Sequence, residues 1–428
     1  MKLGPRIIVR EEGECYLLYN GDNGALVSVA SDAYERCILR DDEADPNYRE
    51  LRDQLLENGF FEGSPSRPKS VGNPQELLPS EAGGFFALRS NRNPLNVLWA
   101  LTPRCNLRCI YCFPDAPRHM QRFAQPGLTE LLRVAEKIIE ASVLKVILSG
   151  GESLLLGELW RIIERFRDAG LTVAVISNGT TICDEIADRL AGYGVHIGVS
   201  LDGPTEECNS RTRGPGAFER TVRGLTMLLS AGVSTGVLVT LTKHNFPALR
   251  EHVAFLVELG VRCVTLQDLR PFATRAMYDA TRLTPQQEQQ LPETIGSIMA
   301  AHRGLLVNPT ELLLFSKQTA NGKIMQCPGG DNFAYVDFFG DVFPCTSLTS
   351  FRLGNVFGES SLTELWRTSA AIRELRTIKT MPLEAIAACR SCPNKAHCEG
   401  GCRGDALFYT GKLFGMPSRC PKALGILS

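Results

Sequence analysis

The strongest signal in this sequence is the stretch Thr102-Pro103-Arg104-Cys105-Asn106-Leu107-Arg108-Cys109-Ile110-Tyr111-Cys112. It follows an apolar run, Val97-Leu98-Trp99-Ala100-Leu101, which has the composition of a buried strand. Three thiolates spaced Cys-x3-Cys-x2-Cys on one tight loop can hold three irons of a 4Fe-4S cube, leaving the fourth iron open to a non-protein ligand. A structural zinc site needs four ligands, and the nearest histidine, His119, lies beyond this loop, so zinc is the weaker interpretation.

Outward from this loop, short apolar runs alternate with amphipathic segments of helical length. Six strand-helix units are countable, with strands predicted at 97–101, 145–148, 172–176, 196–201, 235–241 and 262–266. This alternation indicates βα units and a parallel α/β sheet, open or rolled into a barrel. Because chemistry in parallel sheets gathers at the carboxyl ends of the strands, the residues just after each strand are the first functional candidates.

Length and composition describe an ordinary globular chain. At about 150 residues per domain, 428 residues correspond to roughly three domains. Apolar residues make up 44%, charged residues 22%, and the net charge is −1, so no global basic field favours nucleic acid or an anionic membrane. The first six residues are not a signal sequence, and no apolar run is long enough to span a bilayer. We expect a cytoplasmic protein with no nucleic-acid or membrane partner.

The 15 cysteines are unevenly distributed. Beyond the first loop, seven lie in the C-terminal quarter: Cys327, Cys345, Cys389, Cys392, Cys398, Cys402 and Cys420. In a reducing compartment, thiols clustered at short spacing indicate metal ligands rather than disulfides. The four cysteines from Cys389 to Cys402 could close one zinc site, but that interpretation leaves the other three unexplained.

The N-terminal residues read as a separate unit. A β-hairpin region with a turn at residues 20–24 is followed by two predicted helices, Ser31 to Leu39 and Pro46 to Asn58. Prolines, glycines and polar residues over 63–94 have the composition of a linker. We therefore predict an N-terminal domain over 1–75, a linker over 76–94, a barrel over 95–310 and a C-terminal domain over 311–428.

The first cysteine loop, with the aromatic Tyr111 before its third cysteine, resembles the signature of the radical S-adenosylmethionine (radical SAM) superfamily. The resemblance extends to residues after successive strands, which it implies contact the cofactor: Gly150, Gly151 and Glu152, then Ser177 and Asn178, then Ser200 and Asp202, and finally Arg213. The segment Arg211-Thr212-Arg213 leaves the register of that arginine open by two residues.

The superfamily implies a fold and a mechanism. The fold is a partial (β/α)6 TIM-like barrel, and Cys105, Cys109 and Cys112 hold the catalytic 4Fe-4S cluster. This cluster reductively cleaves S-adenosylmethionine to methionine and a 5'-deoxyadenosyl radical, which abstracts hydrogen from an unactivated C–H group. The protein contributes ligation, orientation and exclusion of water and oxygen.

The C-terminal cysteines resemble the seven-cysteine SPASM extension of peptide-modifying radical SAM enzymes. The resemblance implies two auxiliary 4Fe-4S clusters, three clusters in all: Cys389, Cys392, Cys398 and Cys420 would complete one, while Cys327, Cys345 and Cys402 would hold the other. The second set is one cysteine short, and our hypothesis is that a substrate thiolate occupies the open iron, as is thought of thioether-forming maturases. Cys263 is the main rival for that fourth position.

The N-terminal unit resembles the winged-helix (PqqD-like) element that recognises leader peptides in maturases of ribosomally made peptides (RiPPs). Such an element binds its peptide by adding a strand to a sheet edge. A domain that only packs on the barrel is the plainer alternative, and the acidic residues Asp41, Asp42, Glu43 and Asp45 disfavour a DNA-binding wing.

Together these resemblances imply an enzyme that cross-links a precursor peptide, with a Cys thioether as the favoured product. A flavodoxin- or ferredoxin-like protein would supply electrons. The alternatives are a carbon-carbon or carbon-oxygen cross-link, oxidation of a residue in a protein partner, tetrapyrrole or quinone cofactor synthesis, and a non-catalytic metal-binding scaffold. Thr346 stands where sulfatase-maturing relatives have an acidic residue, which disfavours that activity. The segment Gln267 to Pro271 could face the substrate, although a polar loop with a surface arginine is the plainer interpretation.

Overall fold

The structure is a computed structural model, and it describes most of the chain. The described residues are 3–4, 6–12, 15–20, 26–39, 46–62, 92–113, 116–121, 123–270, 274–308, 327, 329–393, 395, 398, 400–420 and 424. Nearly all of the predicted linker, and the segment between the barrel and Cys327, lie outside them. None of the helices among these residues is long and apolar enough to cross a bilayer.

The N-terminal unit is a small antiparallel sheet followed by helices, as predicted. Its sheet has the order β1-β2-β3, and the predicted turn between the last two strands lies outside the described residues. A π-helical turn, Glu35–Leu39, continues the first helix. The elements are β1 (Ile7–Glu12), β2 (Cys15–Asn20), β3 (Leu26–Ala30), α1 (Ser31–Tyr34) and α2 (Pro46–Glu57).

This unit is docked on the barrel through alternate residues of its strands. Leu18 packs in the core of the unit itself, whereas Leu17 and Tyr19 point the other way and pack with Leu95 and Leu144 beside the barrel. This is the two-faced pattern of a strand buried on both sides. The buried Arg10 guanidinium adds hydrogen bonds to carbonyls of the chain entering the barrel and of the loop before its second strand, those of Asn93, Pro94 and Ser142.

The barrel is built from parallel strands with helices on the outside, which confirms the predicted α/β class. The strands are β4 (Asn96–Ala100), β5 (Lys145–Ser149), β6 (Thr172–Ser177), β7 (His196–Ser200), β8 (Ser234–Leu241) and β9 (Cys263–Asp268). The helices are α3 (Ala116–His119), α4 (Leu128–Glu140), α5 (Leu159–Asp168), α6 (Asp184–Gly192), α7 (Glu206–Arg213), α8 (Phe218–Ser230), α9 (Leu249–Glu258), α10 (Arg275–Thr281) and α11 (Pro285–Ala301).

The sheet continues beyond the six predicted strands. β10 (Leu306–Asn308) adds in parallel to β9, and β11 (Phe333–Val336) adds in parallel to β4. β12 (Asp341–Phe343) and β13 (Gly354–Asn355) then extend the sheet antiparallel, giving the order β10-β9-β8-β7-β6-β5-β4-β11-β12-β13. The C-terminal part therefore begins by joining the barrel sheet, because β11 covers the edge that β4 would otherwise expose.

The C-terminal part is mostly loops and short helices around its cysteines. Its helices are α12 (Leu362–Thr368), α13 (Ala370–Lys379) and α14 (Arg403–Thr410). Helix α14 packs its aromatic residues Phe408 and Tyr409 against Leu269 and Tyr278 of the barrel. This contact brings α14, which Cys402 immediately precedes, against the segment that follows β9.

Candidate active site

The first cysteine loop lies at the carboxyl end of β4 and packs directly on the loop that follows β5. The N–H of Gly151 donates to Thr102 O at 2.6 Å, and the N–H of Glu152 donates to Arg104 O at 2.8 Å. A Cβ atom at position 151 would lie 2.7 Å from Pro103 O and closer still to Arg104 O, a separation that real side chains do not tolerate. These glycines thus allow two backbones to pack together, a reason for glycine that differs from the cofactor contact that the family resemblance implies.

The carboxylate of Glu152 ties this loop to the next strand end. It is fully buried and accepts hydrogen bonds from the N–H of Leu154 at 3.1 Å and the N–H of Asn178 at 2.7 Å. Burial raises its pKa, while these donors act to lower it. The Asn178 side chain in turn donates to Asn106 at 2.8 Å and lies 3.9 Å from the Cys105 sulfur. Glu152 and Asn178 therefore fix the first cysteine loop against β5 and β6.

A second buried carboxylate, Asp202, contacts several segments on the opposite side of this end of the barrel, which we call the barrel mouth. It forms an ion pair with Arg213 at 2.8 Å and accepts hydrogen bonds from Thr212, from the N–H of Thr240 and from the Tyr111 hydroxyl. Burial opposes the charge of Arg213, but Asp202 outweighs that effect and the arginine pKa is raised. Asp202 thus holds α7, β8 and the first cysteine loop together from within the protein.

The structure separates the two arginines that the sequence left open. Arg213 is buried and donates to the Tyr111 hydroxyl at 2.7 Å, whereas Arg211 is exposed and pairs with Glu207 on the surface of α7. Ser177 is buried and accepts from the N–H of Gly179, and Ser200 is half-buried at the end of β7. The candidate cofactor residues therefore gather at one end of the barrel, and their contacts with S-adenosylmethionine remain a prediction.

A pocket of about 140 Å³ opens at this end of the barrel. It lies between the first cysteine loop, the ends of β8 and β9, and the segment after β9. Its lining residues are Tyr111, Phe113, Thr240, Gln267, Asp268, Leu269 and Arg270. Asp268 is ion-paired with the buried Arg419, which precedes Cys420, so one wall of the pocket is braced by the C-terminal part.

The C-terminal cysteines divide into the two sets that the resemblance implies, and their assignment to two clusters stays a prediction. We call Cys389, Cys392, Cys398 and Cys420 the four-thiol set. Burial raises the pKa of Cys389 and Cys398, and the neighbouring thiols of the same set raise it further. The N–H of Gly400 points at the Cys398 sulfur at 3.3 Å, a donor that suits a thiolate.

We call Cys327, Cys345 and Cys402 the three-thiol set. Burial, reinforced by the other thiols of the set, raises the pKa of Cys345 to about 12. Burial raises that of Cys402 to about 11, with Cys327 the next contribution. The Cys402 sulfur also caps α14 by accepting from the N–H of Asp405 at 3.5 Å.

Both sets fit iron-sulfur clusters by the chemistry of their donors. Buried thiols packed against one another stay protonated and inert unless a bound cation offsets their charge. Among the described residues, no three His, Cys, Asp or Glu side chains meet closely enough for one metal ion. Each thiol of a cube binds a different iron, so a cube accepts ligands spaced more widely than those of a single zinc.

Cys263 is wrongly placed to complete the three-thiol set, which corrects the sequence-based rival. It begins β9, pairs with Leu306, and lies near Lys145 at the start of β5. The pocket and Arg270 lie at the other end of the same strand, five residues or about 17 Å away. Every other cysteine belongs to the two sets, the first loop or the N-terminal unit, except Cys183, which precedes α6, and Cys208, which lies in α7.

Sequence reasoning missed Arg419, and it favoured a surface loop for the segment Gln267 to Pro271, which contains Asp268 and Arg270. Asp268 and Arg419 pair across the junction of barrel and C-terminal part, and Arg270 is half-buried at the pocket rather than on the surface. The signals were present but weak, since Asp268 follows the last predicted strand by two residues and Arg419 adjoins a cysteine. Long-range pairing of opposite charges cannot be read from either position alone.

An open parallel barrel with three thiols on the loop after its first strand defines a class of enzyme. Residues 99–256 match the model of the radical SAM superfamily, and residues 327–393 match that of SPASM, an iron-sulfur cluster-binding domain. The chain belongs to the radical SAM superfamily and is an enzyme of that class. Its cofactors are accordingly iron-sulfur clusters and S-adenosylmethionine.

The relatives of this chain include heme synthases and peptide maturases. The chain is 31% identical over 343 residues to an AdoMet-dependent heme synthase of Methanosarcina barkeri, covering 74% of this chain and 93% of the relative. It is 27% identical over 341 residues to the mycofactocin maturase MftC of Mycolicibacterium smegmatis, covering 78% and 84%. Among solved structures, Streptococcus suis SuiB bound to its precursor peptide SuiA matches with a TM-score of 0.73 at 15% identity, covering 98% of this chain and 99% of SuiB.

Proposed function

We propose that this chain is a peptide maturase that forms a sulfur-to-carbon thioether in a ribosomally made precursor peptide. The observation that carries the proposal is the three-thiol set. Cys327 is buried, Cys345 and Cys402 are half-buried, and the other cysteines of the chain lie elsewhere. A cube held by three protein thiols keeps one iron for an outside ligand. A cysteine thiolate of the substrate is the ligand that soft iron sites favour.

The site residues divide into three roles under this proposal. Cys105, Cys109 and Cys112 would hold the catalytic cluster, and the two C-terminal sets would hold one auxiliary cluster each. The catalytic cluster supplies the one-electron reduction that cleaves S-adenosylmethionine. Candidate residues for binding and orienting that cofactor at the barrel mouth are Tyr111, Gly150, Gly151, Glu152, Ser177, Asn178, Ser200, Asp202 and Arg213.

The buried side chains at the mouth would act mainly by positioning. Glu152 and Asp202 have their oxygens engaged by backbone and side-chain donors, so they hold the loops that carry the thiols. The walls of the pocket, with Tyr111, Phe113 and Leu269, would exclude water from the reacting carbon.

A peptide substrate is supported by the relatives and by the N-terminal unit. The fold match to SuiB covers 98% of this chain, so it extends into the unit formed by β1 to α2. We propose that a leader peptide adds a strand at the β3 edge of that sheet, since β1 carries Arg10, which holds the unit on the barrel. An electron donor of flavodoxin or ferredoxin type completes the partners.

The heme synthase relatives favour a second candidate, a tetrapyrrole substrate, on the strength of 31% identity to the Methanosarcina protein. A carbon-carbon or carbon-oxygen cross-link is a third outcome for the same peptide. These three possibilities predict different products from one anaerobic reaction.

The test begins with iron and sulfide content and 5'-deoxyadenosine release under dithionite. Three cubes predict about twelve iron atoms per chain, falling to about eight in a Cys105/Cys109/Cys112 triple Ala variant that releases no deoxyadenosine.

The next step is mass spectrometry of a precursor peptide encoded beside this chain. A thioether predicts loss of two hydrogens together with one alkylatable thiol, and no product from a Cys→Ser peptide.

The outcomes separate the alternatives. A product lacking two hydrogens that keeps all its alkylatable thiols contradicts the thioether and supports a cross-link through carbon or oxygen. Turnover of a porphyrin, with none of the peptide, contradicts the peptide assignment.

Deleting residues 1–75 should abolish turnover of the full leader-bearing peptide and leave cleavage of S-adenosylmethionine unchanged. Unchanged peptide turnover would contradict the leader-binding role of the N-terminal unit.

A further inference from the structure

Arg270 lies at the junction of the reaction pocket and the three-thiol set. It follows β9 by two residues, is half-buried, and lines the pocket together with Tyr111 and Gln267. A long cationic side chain at a pocket wall can reach groups on both sides of that wall.

The other side of this wall is the three-thiol set. The Arg270 guanidinium donates to the Ser347 hydroxyl at 3.5 Å, two residues after Cys345. Gly404 packs directly on the backbone of Ser347, which brings the segment that begins at Cys402 to the same place. The third thiol adjoins this group through Gly329, since a Cβ atom there would lie 3.5 Å from the Cys327 sulfur and 3.8 Å from that of Cys345.

Arg270 places a positive charge between the pocket and these thiols, because its guanidinium reaches Ser347, on which the segments of Cys345 and Cys402 meet. Two other charges near the set already have partners. The carboxylate of Asp405 accepts from the backbone N–H and hydroxyl of Ser418 at 2.6 and 3.0 Å, and Lys379, which donates to the Cys327 carbonyl, is paired with Asp331. Arg270 is thus a cation placed to stabilise added negative charge at the three-thiol set.

We propose that Arg270 is a positioning residue that raises the reduction potential of the cluster held by the three-thiol set. A reduced cluster carries one more negative charge than its oxidised form, and a fixed cation nearby favours that state. Because Arg270 also forms the pocket wall, this effect is exerted where the substrate binds. The inference rests on the proposed function, which places a cluster at these thiols.

The experiment is an anaerobic redox titration of the full-length reconstituted chain, followed by electron paramagnetic resonance. We expect Arg270→Gln to lower the equilibrium constant for one-electron reduction of one auxiliary cluster about tenfold, which equals about 59 mV, and to leave the other auxiliary cluster unchanged. Arg270→Lys keeps the positive charge and should change this equilibrium constant less than threefold. Arg161→Gln, an exposed arginine of α5, is the matched control and should change nothing.

The outcomes are distinct. The proposal about Arg270 alone is overturned if the reduction potentials of both auxiliary clusters are unchanged in Arg270→Gln. It is also overturned if Arg270→Lys shifts the potential as far as Arg270→Gln does. A wild-type chain with a single auxiliary transition overturns both this inference and the proposed cofactor content. If Arg270→Gln fails to retain iron, Arg270→Lys decides, since a tenfold or larger shift with the charge preserved contradicts the electrostatic role.

Discussion

Replacing Gly151 with alanine tests whether the glycines after β5 are needed to seat the first cysteine loop. The added Cβ would lie 2.7 Å from Pro103 O and nearer still to Arg104 O, and both neighbours are backbone atoms that cannot rotate away. One of the two loops must therefore move. Movement strains the hydrogen bonds from Gly151 to Thr102 at 2.6 Å and from Glu152 to Arg104 at 2.8 Å.

The magnitude follows from these contacts. Overpacking a tight site costs about 1–3 kcal/mol, and each hydrogen bond lost adds about 1 kcal/mol, which gives about 3–5 kcal/mol in all. For a barrel of this size, 1 kcal/mol lowers Tm by about 2–4 °C, so we expect a fall between about 6 and 20 °C.

The assay is thermal unfolding of the anaerobically reconstituted chain, with iron content measured in parallel. Gly157→Ala is the matched control, because Gly157 is exposed in the same connection and a Cβ there would meet nothing within 4 Å. That control should be neutral or stabilised by up to about 1 kcal/mol. A Gly151→Ala chain with the Tm of the wild type and the same iron content would refute the packing argument. Contact with the cofactor would then be the remaining reason for glycine at this position.

Three further predictions concern buried polar or titratable side chains. Asp202→Asn should cost about 3–5 kcal/mol in denaturant unfolding, because it leaves Arg213 buried without its counter-ion, while Glu207→Gln on the surface should change stability by less than about 0.5 kcal/mol. His252 is buried and burial lowers its pKa to about 4, so stability should fall by about 3 kcal/mol as pH drops from 6.5 to 4, and His252→Leu should flatten that dependence. Arg10→Ala should increase the hydrogen exchange of β1 amides, measured by mass spectrometry, and equal exchange in both proteins would contradict its anchoring role.

The barrel and the identity of the thiols could be read from local sequence. Apolar runs such as Val97 to Leu101, alternating with amphipathic segments, predict parallel strands with helices between them, and the structure has them within a few residues. The helices of the N-terminal unit were predictable for the same reason, since Pro46 and Gly59 punctuate them locally. Spacing within one loop likewise groups Cys105, Cys109 and Cys112 without reference to the rest of the chain.

The C-terminal connections were not predictable from local pattern. β11 is a short strand that joins the barrel edge beside β4, more than two hundred residues away in sequence, and no periodicity signals that partner. Cys263 could serve as a fourth ligand on composition alone, and only its position at the start of β9 removes it. Arg270 looked like a surface residue because a polar loop in sequence gives no information about what packs over it.

Cysteine spacing and strand-helix alternation were enough to establish the class of this protein, because both are local properties that depend on residues a few positions apart. The contacts between charged residues could be seen only in the folded chain. Asp202 meets Arg213 because α7 folds back on the end of β7. Asp268 meets Arg419, and Arg270 meets the three-thiol set, through packing between segments far apart in sequence. Burial then makes each pairing strong, since charges removed from water must be satisfied by whatever the fold places beside them.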